Sequence, residues 1–221
     1  MADGRETTAP GQLGLVQAFL NTYDRQTGRD DLADVSSAAA WLASNRLVSP
    51  GTEYDERDRR RLVDVRRSVH ALVAANGGDG MQRRAVTTLN EAARRVRLGV
   101  RLHPEDGYRL MAEGVGIDRP IGELLIAVTG SMAAGSWDRL KVCSNEACQS
   151  AFYDSSRNRS GRWCSLARCG NRMKGRAYRE RRSGASAVEA DVRTAFVKAG
   201  LDITGRLAEG DWVALEARRP A

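Results

Sequence analysis

The sequence predicts a mainly α protein in three parts. A helical N-terminal domain carries one small β-hairpin. A four-cysteine module follows, made of a hairpin and a basic helix. A short α/β tail ends the chain. Three observations predict this. Apolar residues recur at helical spacing through most of residues 12–137. All four cysteines fall within the 27 residues Cys143–Cys169, as Cys143-x4-Cys148 and Cys164-x4-Cys169. The chain's net charge of +7 is concentrated around those cysteines.

Each element follows from local pattern. Met1–Gly11 is polar, contains Gly and Pro, and is expected to be flexible. Leu13, Val16, Phe19, Leu20 and Tyr23 form the apolar stripe of a first helix. Asp34 is placed to cap a second helix carrying Ala38, Trp41 and Leu42, which ends near Leu47 before Pro50-Gly51. Leu62, Val65, Val69, Leu72 and Val73 line a long third helix that stops at Asn76-Gly77-Gly78. Met81, Ala85, Leu89, Ala92, Ala93 and Val96 line a fourth. Val100–Met111 alternates around Pro104-Glu105-Asp106-Gly107, which predicts a hairpin. A last helix spans about Pro120–Trp137, with Ile121, Leu124, Leu125, Val128 and Met132 inward and Pro120 in its first turn.

Little in this domain suggests catalysis. The chain has two histidines, His70 and His103, and neither has a cysteine or a repeated carboxylate nearby in sequence. Phosphate-cradling loops with a lysine, GxSxG elbows and HExxH pairs are absent. Gly77-Gly78-Asp79-Gly80 reads as a turn, the charged run Arg57–Arg61 as a solvated helix face, and Trp41 and Trp137 as core. No run approaches the 18 apolar residues of a membrane span, and no apolar stretch of signal-peptide length opens the chain. The expectation is a soluble cytoplasmic protein whose thiols stay reduced.

Four cysteines in two equal loops are the pattern of a closed tetrahedral Zn²⁺ site with ligands Cys143, Cys148, Cys164 and Cys169. Two disulfides or free thiols are the competing readings. A zinc ion would supply folding energy that Phe152, Tyr153 and Trp163 are too few to supply. Between the pairs, Ala151-Phe152-Tyr153 and Arg162-Trp163 flank the polar loop Asp154–Gly161, which predicts a hairpin. After Cys169, Asn171 is placed as N-cap of a helix running to Arg182, with Arg172, Arg176 and Arg179 on one face. From Asp138 to Arg182 there are 12 basic residues against 4 acidic ones, a net of +8, so the rest of the chain sums to −1. That local excess is the footprint of a nucleic-acid binder. The candidate contacts are Arg157, Asn158, Arg159, Arg162, Asn171, Arg172, Lys174, Arg176, Arg179, Arg181 and Arg182. The helix is expected along the major groove, and the 157–159 loop on the backbone or minor groove.

The string Cys143-Ser-Asn-Glu-Ala-Cys148, then Phe152–Asn158, Arg162-Trp163-Cys164-Ser165 and Cys169-Gly170-Asn171-Arg172 resembles the CGNR zinc finger. In that family the finger, treble-clef-like in its hairpin and helix, follows a mainly helical ABATE domain. The order of helices here is similar to that domain, with few fixed residues. The resemblance implies a stress-induced transcription regulator that binds duplex DNA, with those four cysteines holding one structural zinc ion. A regulator needs an input, and a helical domain with a cavity between its helices can bind a small effector, so this domain is expected to act as a sensor of an unnamed effector or as a contact for RNA polymerase or another transcription protein. Two other functions stay open: an interaction adaptor whose basic finger meets an acidic protein, and an enzyme using an N-terminal pocket with the finger as a staple. The domain boundaries expected are 1–11, 12–137, 138–182 and 187–221. Ser183-Gly184-Ala185-Ser186 reads as a linker. The tail beyond it reads as a helix stopped by Gly200 and a hairpin around Glu209-Gly210. At about 36 residues it is too short to bury much core alone.

Overall fold

The computed structural model describes residues 8–48, 52–104, 107–209 and 212–220. Most of the expected flexible N-terminus (residues 1–7), the Pro50-Gly51 stop, and the turn residues Glu105-Asp106 and Gly210 lie outside the described residues. The chain divides into two compact units, the first ending at Cys169 and the second beginning at Gly170.

In the first unit, helices α1 (Gln12–Leu20), α2 (Val35–Ser44), α3 (Glu56–Ala75), α4 (Arg83–Ala93) and α5 (Asp118–Ala133) carry three antiparallel ribbons. These are β1 (Tyr23–Asp24) with β2 (Arg29–Asp30), β3 (Arg97–His103) with β4 (Gly107–Glu113), and β5 (Leu140–Val142) with β6 (Ala151–Tyr153). Asp34 caps α2 in a reciprocal box with Ser37, and Asp55 caps α3 by accepting from the Asp58 amide. Each helix turns its apolar stripe into one core. It contains Val16 and Phe19 of α1, Leu42 of α2, Val65, Val69 and Val73 of α3, and Ile121, Leu124 and Val128 of α5. Gly122 of α5 is required by close packing. A Cβ there would sit 2.5 Å from Ala112 Cβ and from Val96 Cγ1.

The buried stripes are slightly shorter than the sequence predicts. Tyr23 lies past α1, in β1, and Met81 precedes α4. Both are exposed, as is Met132 near the end of α5. The run Arg57–Arg61 is only partly solvated. Arg59 donates to the Leu32 carbonyl at 2.9 Å, and Arg61 pairs with Asp118. A charged run can lie along a boundary between elements, and sequence spacing does not reveal the neighbour that takes the charge.

The core does not end with the helices. Leu140 of β5 and Ala151 of β6 belong to the same cluster. Asn76 closes α3 by donating to the Trp137 and Leu140 carbonyls at 2.9 Å each. Asn21 pairs with Ala151 in both directions, at 2.9 and 2.8 Å, acting as a substitute strand residue beside β6. The cysteine-bearing hairpin is therefore seated on the helical core. Its partner strand also differs from expectation. β6 pairs with β5, in register Leu140↔Tyr153 to Val142↔Ala151, while Arg162-Trp163 forms no strand.

The second unit is a 28-residue helix, α6 (Asn171–Lys198), and a hairpin of β7 (Asp202–Glu209) and β8 (Trp212–Arg218). At 1.5 Å per residue α6 is about 42 Å long. It runs straight through the expected linker Ser183–Ser186. Asn171 is its first residue and not its cap. Gly170 holds the cap position in helical conformation and makes no side-chain bond. At the other end Gly200, with φ +70°, stops the helix, and the Leu201 amide returns to the Phe196 carbonyl at 2.9 Å. Glu189 binds Arg193 on α6 and Arg206 on β7, and its carboxyl is held down at about 2 chiefly by Arg206. No described side chain after Gly170 is buried.

Candidate metal centre and basic surface

Two backbone loops bring the cysteines together. β5 delivers Cys143, whose amide bonds the Ser150 carbonyl at 2.9 Å. Buried Asn145 accepts from the amides of Cys148 and Gln149 with its carbonyl, and from Ala147 with its side chain. A π-type turn, Leu166–Gly170, sets the second pair. Its Cys169 amide reaches the Ser165 carbonyl at 3.0 Å.

The four sulfurs are buried and lie within 4.8 Å of one another. Cys148 Sγ is 3.6 Å from Cys164 Sγ, which is 3.7 Å from Cys169 Sγ. A disulfide needs about 2.0 Å, so these are not disulfides. The edge of a tetrahedron with zinc–sulfur bonds of about 2.3 Å is about 3.8 Å, which these separations match. As protonatable thiols, Cys143, Cys148 and Cys164 interfere with one another. Cys148 accepts from Cys143 and Cys164 and is driven down as a thiolate. Its contact pushes Cys143 up to about 11, and contact with Cys143 and then Cys148 pushes Cys164 up as well. Thiolates this close repel one another, and a bound cation would let the cluster carry them together. Polar groups already point at the sulfurs: Ser150 Oγ at 3.3 Å from Cys148, and Asn145 Nδ2 at 3.5 Å from Cys169. Phe152 and half-buried Trp163 pack around the cluster. These residues form a closed site for one structural zinc ion.

Beside it, the loop 154–161 is tied from below. Asp154 is 3% exposed and accepts from Lys141 Nζ at 2.8 Å, the Gly161 amide at 2.8 Å and the Ser156 amide at 3.0 Å. Burial raises its pKa, but these bonds outweigh burial and hold it at about 2. Lys141, also buried, donates to the Arg159 carbonyl as well, and Arg139 donates to the carbonyls of Asp154 and Ser156. Two of the basic residues counted in the local charge are thus turned inward as supports. Arg157, Asn158, Arg159 and Arg162 stay exposed. Arg159 sits in the left-handed region at φ 51° and pairs with Asp138, and Arg162 lies 5.5 Å over the Trp163 ring. On α6, Asn171, Arg172, Lys174, Arg176 and Arg179 are exposed. Arg181 and Arg182 lie on the same helix with side chains outside the described residues.

The comparisons with known proteins follow this division of labour. Residues 13–131 match the ABATE family, described as "Putative stress-induced transcription regulator", and residues 139–182 match the CGNR zinc finger. The chain belongs to the ABATE family. No curated protein matches it. His70 Nε2 is 3.0 Å from the Gln149 carbonyl, and the side chain of His103 lies outside the described residues. Sequence reasoning missed Asn145, Lys141 and Asp154. The Asp154-x-Ser156 spacing of an Asx turn was the available signal for Asp154. No helix among the described residues is long and apolar enough to cross a membrane.

Proposed function

We propose that this ABATE protein is a cytoplasmic, non-catalytic transcription regulator that grips duplex DNA through its zinc-organised basic surface. One observation carries the reading. The buried Lys141–Asp154 pair and the four-cysteine cluster fix a loop whose outward side chains are Arg157, Asn158 and Arg159. Bound zinc supplies folding energy at a centre with no open position for substrate. Arg157, Arg159 and Arg162 then offer guanidinium groups to phosphates, and Arg172, Lys174, Arg176 and Arg179 add a second basic element on α6. The helical domain serves as sensor or partner-binding module. Support for a partner such as RNA polymerase comes from the β3–β4 ribbon, where Leu98, Val100, Leu102 and Tyr108 share one exposed apolar face.

The test is binding of the zinc-loaded protein to a labelled duplex across a salt series. Affinity is expected to fall steeply with salt, with a slope of about −0.9 per phosphate contact. Arg157→Gln with Arg159→Gln, and separately Arg172, Arg176 and Arg179→Ala, each flatten that slope. Unchanged affinity and slope in both variants overturn the proposal.

A further inference from the structure

A cavity of about 410 Å³ lies in the first unit between α1, the β1–β2 ribbon, α3 and the zinc loop. Its size falls in the range of small-molecule sites. Three arginines line it, Arg25, Arg66 and Arg67, against a single acid, Asp30. Arg66 is buried, and its guanidinium is anchored to Asp30 at 2.5 and 2.9 Å and to Thr22 Oγ1 at 2.9 Å. These bonds engage three of its five N–H donors. With Asp30 committed to Arg66 and Arg67 3.9 Å from Asp64 on its own helix, the charge of Arg25 remains in excess at the cavity wall. Part of the wall is apolar. Leu20 lines it, and the Tyr23 ring lies 5.7 Å from the Arg66 guanidinium carbon. Guanidinium groups beside an apolar wall and an aromatic ring suit an acid group on a compact apolar body.

The same cavity touches the metal centre. Cys148 and Gln149 form part of its wall. Gln149 follows a zinc ligand directly and sits in the left-handed region at φ 52°. It is held from the cavity side by His70, which meets its carbonyl at 3.0 Å, and by Arg25, which donates to its side-chain oxygen. The β1–β2 turn also reaches the second cysteine pair, with Gln26 Nε2 4.0 Å from Cys169 Sγ.

We propose that this cavity binds a small organic anion, and that its occupation is linked to zinc retention through Arg25 and Gln149. An incoming acid group competes with Gln149 for Arg25, so binding weakens the hold on the loop that carries Cys148. Linkage makes the effect reciprocal, so zinc loading in turn lowers anion affinity. The site does not depend on the DNA reading, because its tests read anion and zinc alone.

The experiment titrates the full-length zinc-loaded protein calorimetrically with benzoate, and with phenyl phosphate to separate a carboxylate from a phosphate head group. Benzamide is the neutral isostere. Saturable one-to-one binding of at least one anion is expected, with no binding of benzamide. Arg25→Gln and Arg67→Gln each weaken it about tenfold or more, while Arg29→Gln outside the cavity leaves it unchanged. Transfer of zinc to a coloured chelator is expected to speed up when the anion is bound. Failure of both anions to bind, equal binding of benzamide, or indifference to Arg25→Gln and Arg67→Gln overturns the site. Binding without a change in zinc transfer overturns the linkage.

Discussion

The protein presents basic side chains in two places, and it holds them in opposite ways. The 154–161 loop has no regular secondary structure, yet it is fixed from beneath by a buried ion pair, three backbone amide or carbonyl contacts and a four-cysteine cluster. The first turns of α6 are regular helix, yet no described side chain of the second unit is buried. One element owes its shape to distant residues. The other owes it to the 3.6-residue repeat and to helix propensity. The loop should therefore respond to changes at residues that never face solvent, and the helix to changes in its own backbone preference.

The largest expected effect tests the cluster. Cys148→Ser removes one of four ligands, and zinc binding in such sites is worth about 10–16 kcal/mol of folding free energy. The expected outcome is loss of stoichiometric zinc and loss of ordered amide signals across residues 140–169. Because Leu140 and Ala151 sit in the helical core, thermal stability of the helical domain falls too. Survival of the finger's amide pattern without metal would show that packing alone builds it. The α6 signals are expected to change least.

Next in size is the buried pair. Lys141→Met leaves the Asp154 carboxylate buried with its main partner gone, a change that costs about 3–5 kcal/mol in comparable cases. Hydrogen exchange at the Ser156 and Gly161 amides should quicken, and the DNA salt slope should flatten although no exposed charge has changed. The pH dependence has a definite sign. Asp154 is held at about 2, below its ordinary 3.8, so the unfolded chain takes up the proton first as pH falls. The pH-dependent part of the wild type's stability advantage over Asp154→Asn, about 2 kcal/mol from that shift, is complete above about pH 4 and shrinks toward pH 2. Urea midpoints of the two proteins across that range measure it. An advantage that grew with acidity would mean that the carboxylate is not stabilised as an anion.

The same contrast explains what could be read from the sequence. The zinc ligands were legible because their spacing and residue type single them out, and the sulfur separations then exclude disulfides. Helices α1–α5 were legible because Leu, Val and Ile stripes repeat the period of the backbone, and Asp34 announced its cap. Lys141 and Arg66 were not legible. Each is a charged letter whose burial depends on a partner, Asp154 or Asp30, brought near by the fold. The β1–β2 ribbon has two residues per strand, too few for any period to show. Ser183–Ser186 was misread for the opposite reason. One glycine among serines looks like a break, but Gly costs a helix only about 1 kcal/mol relative to Ala, and the flanking residues include strong helix formers. Propensity summed over 28 positions outweighs a single weak one.

That arithmetic sets the smallest prediction. Gly175 is in the second turn of α6, and a Cβ added there would meet no atom within 4 Å. Gly175→Ala removes backbone freedom from the unfolded chain without a clash, and should stabilise the N-terminal half of α6 by about 0.5–1 kcal/mol. Amide exchange for residues 172–180 is expected to slow several-fold, while that of the 154–161 loop stays the same and zinc content is unchanged. If the helix is ordered by its own propensity, this change tightens DNA binding slightly, because less disorder is lost on contact. A substitution that slowed exchange equally in the loop would mean that the two basic elements are held by a common support, and the distinction drawn between them would fail.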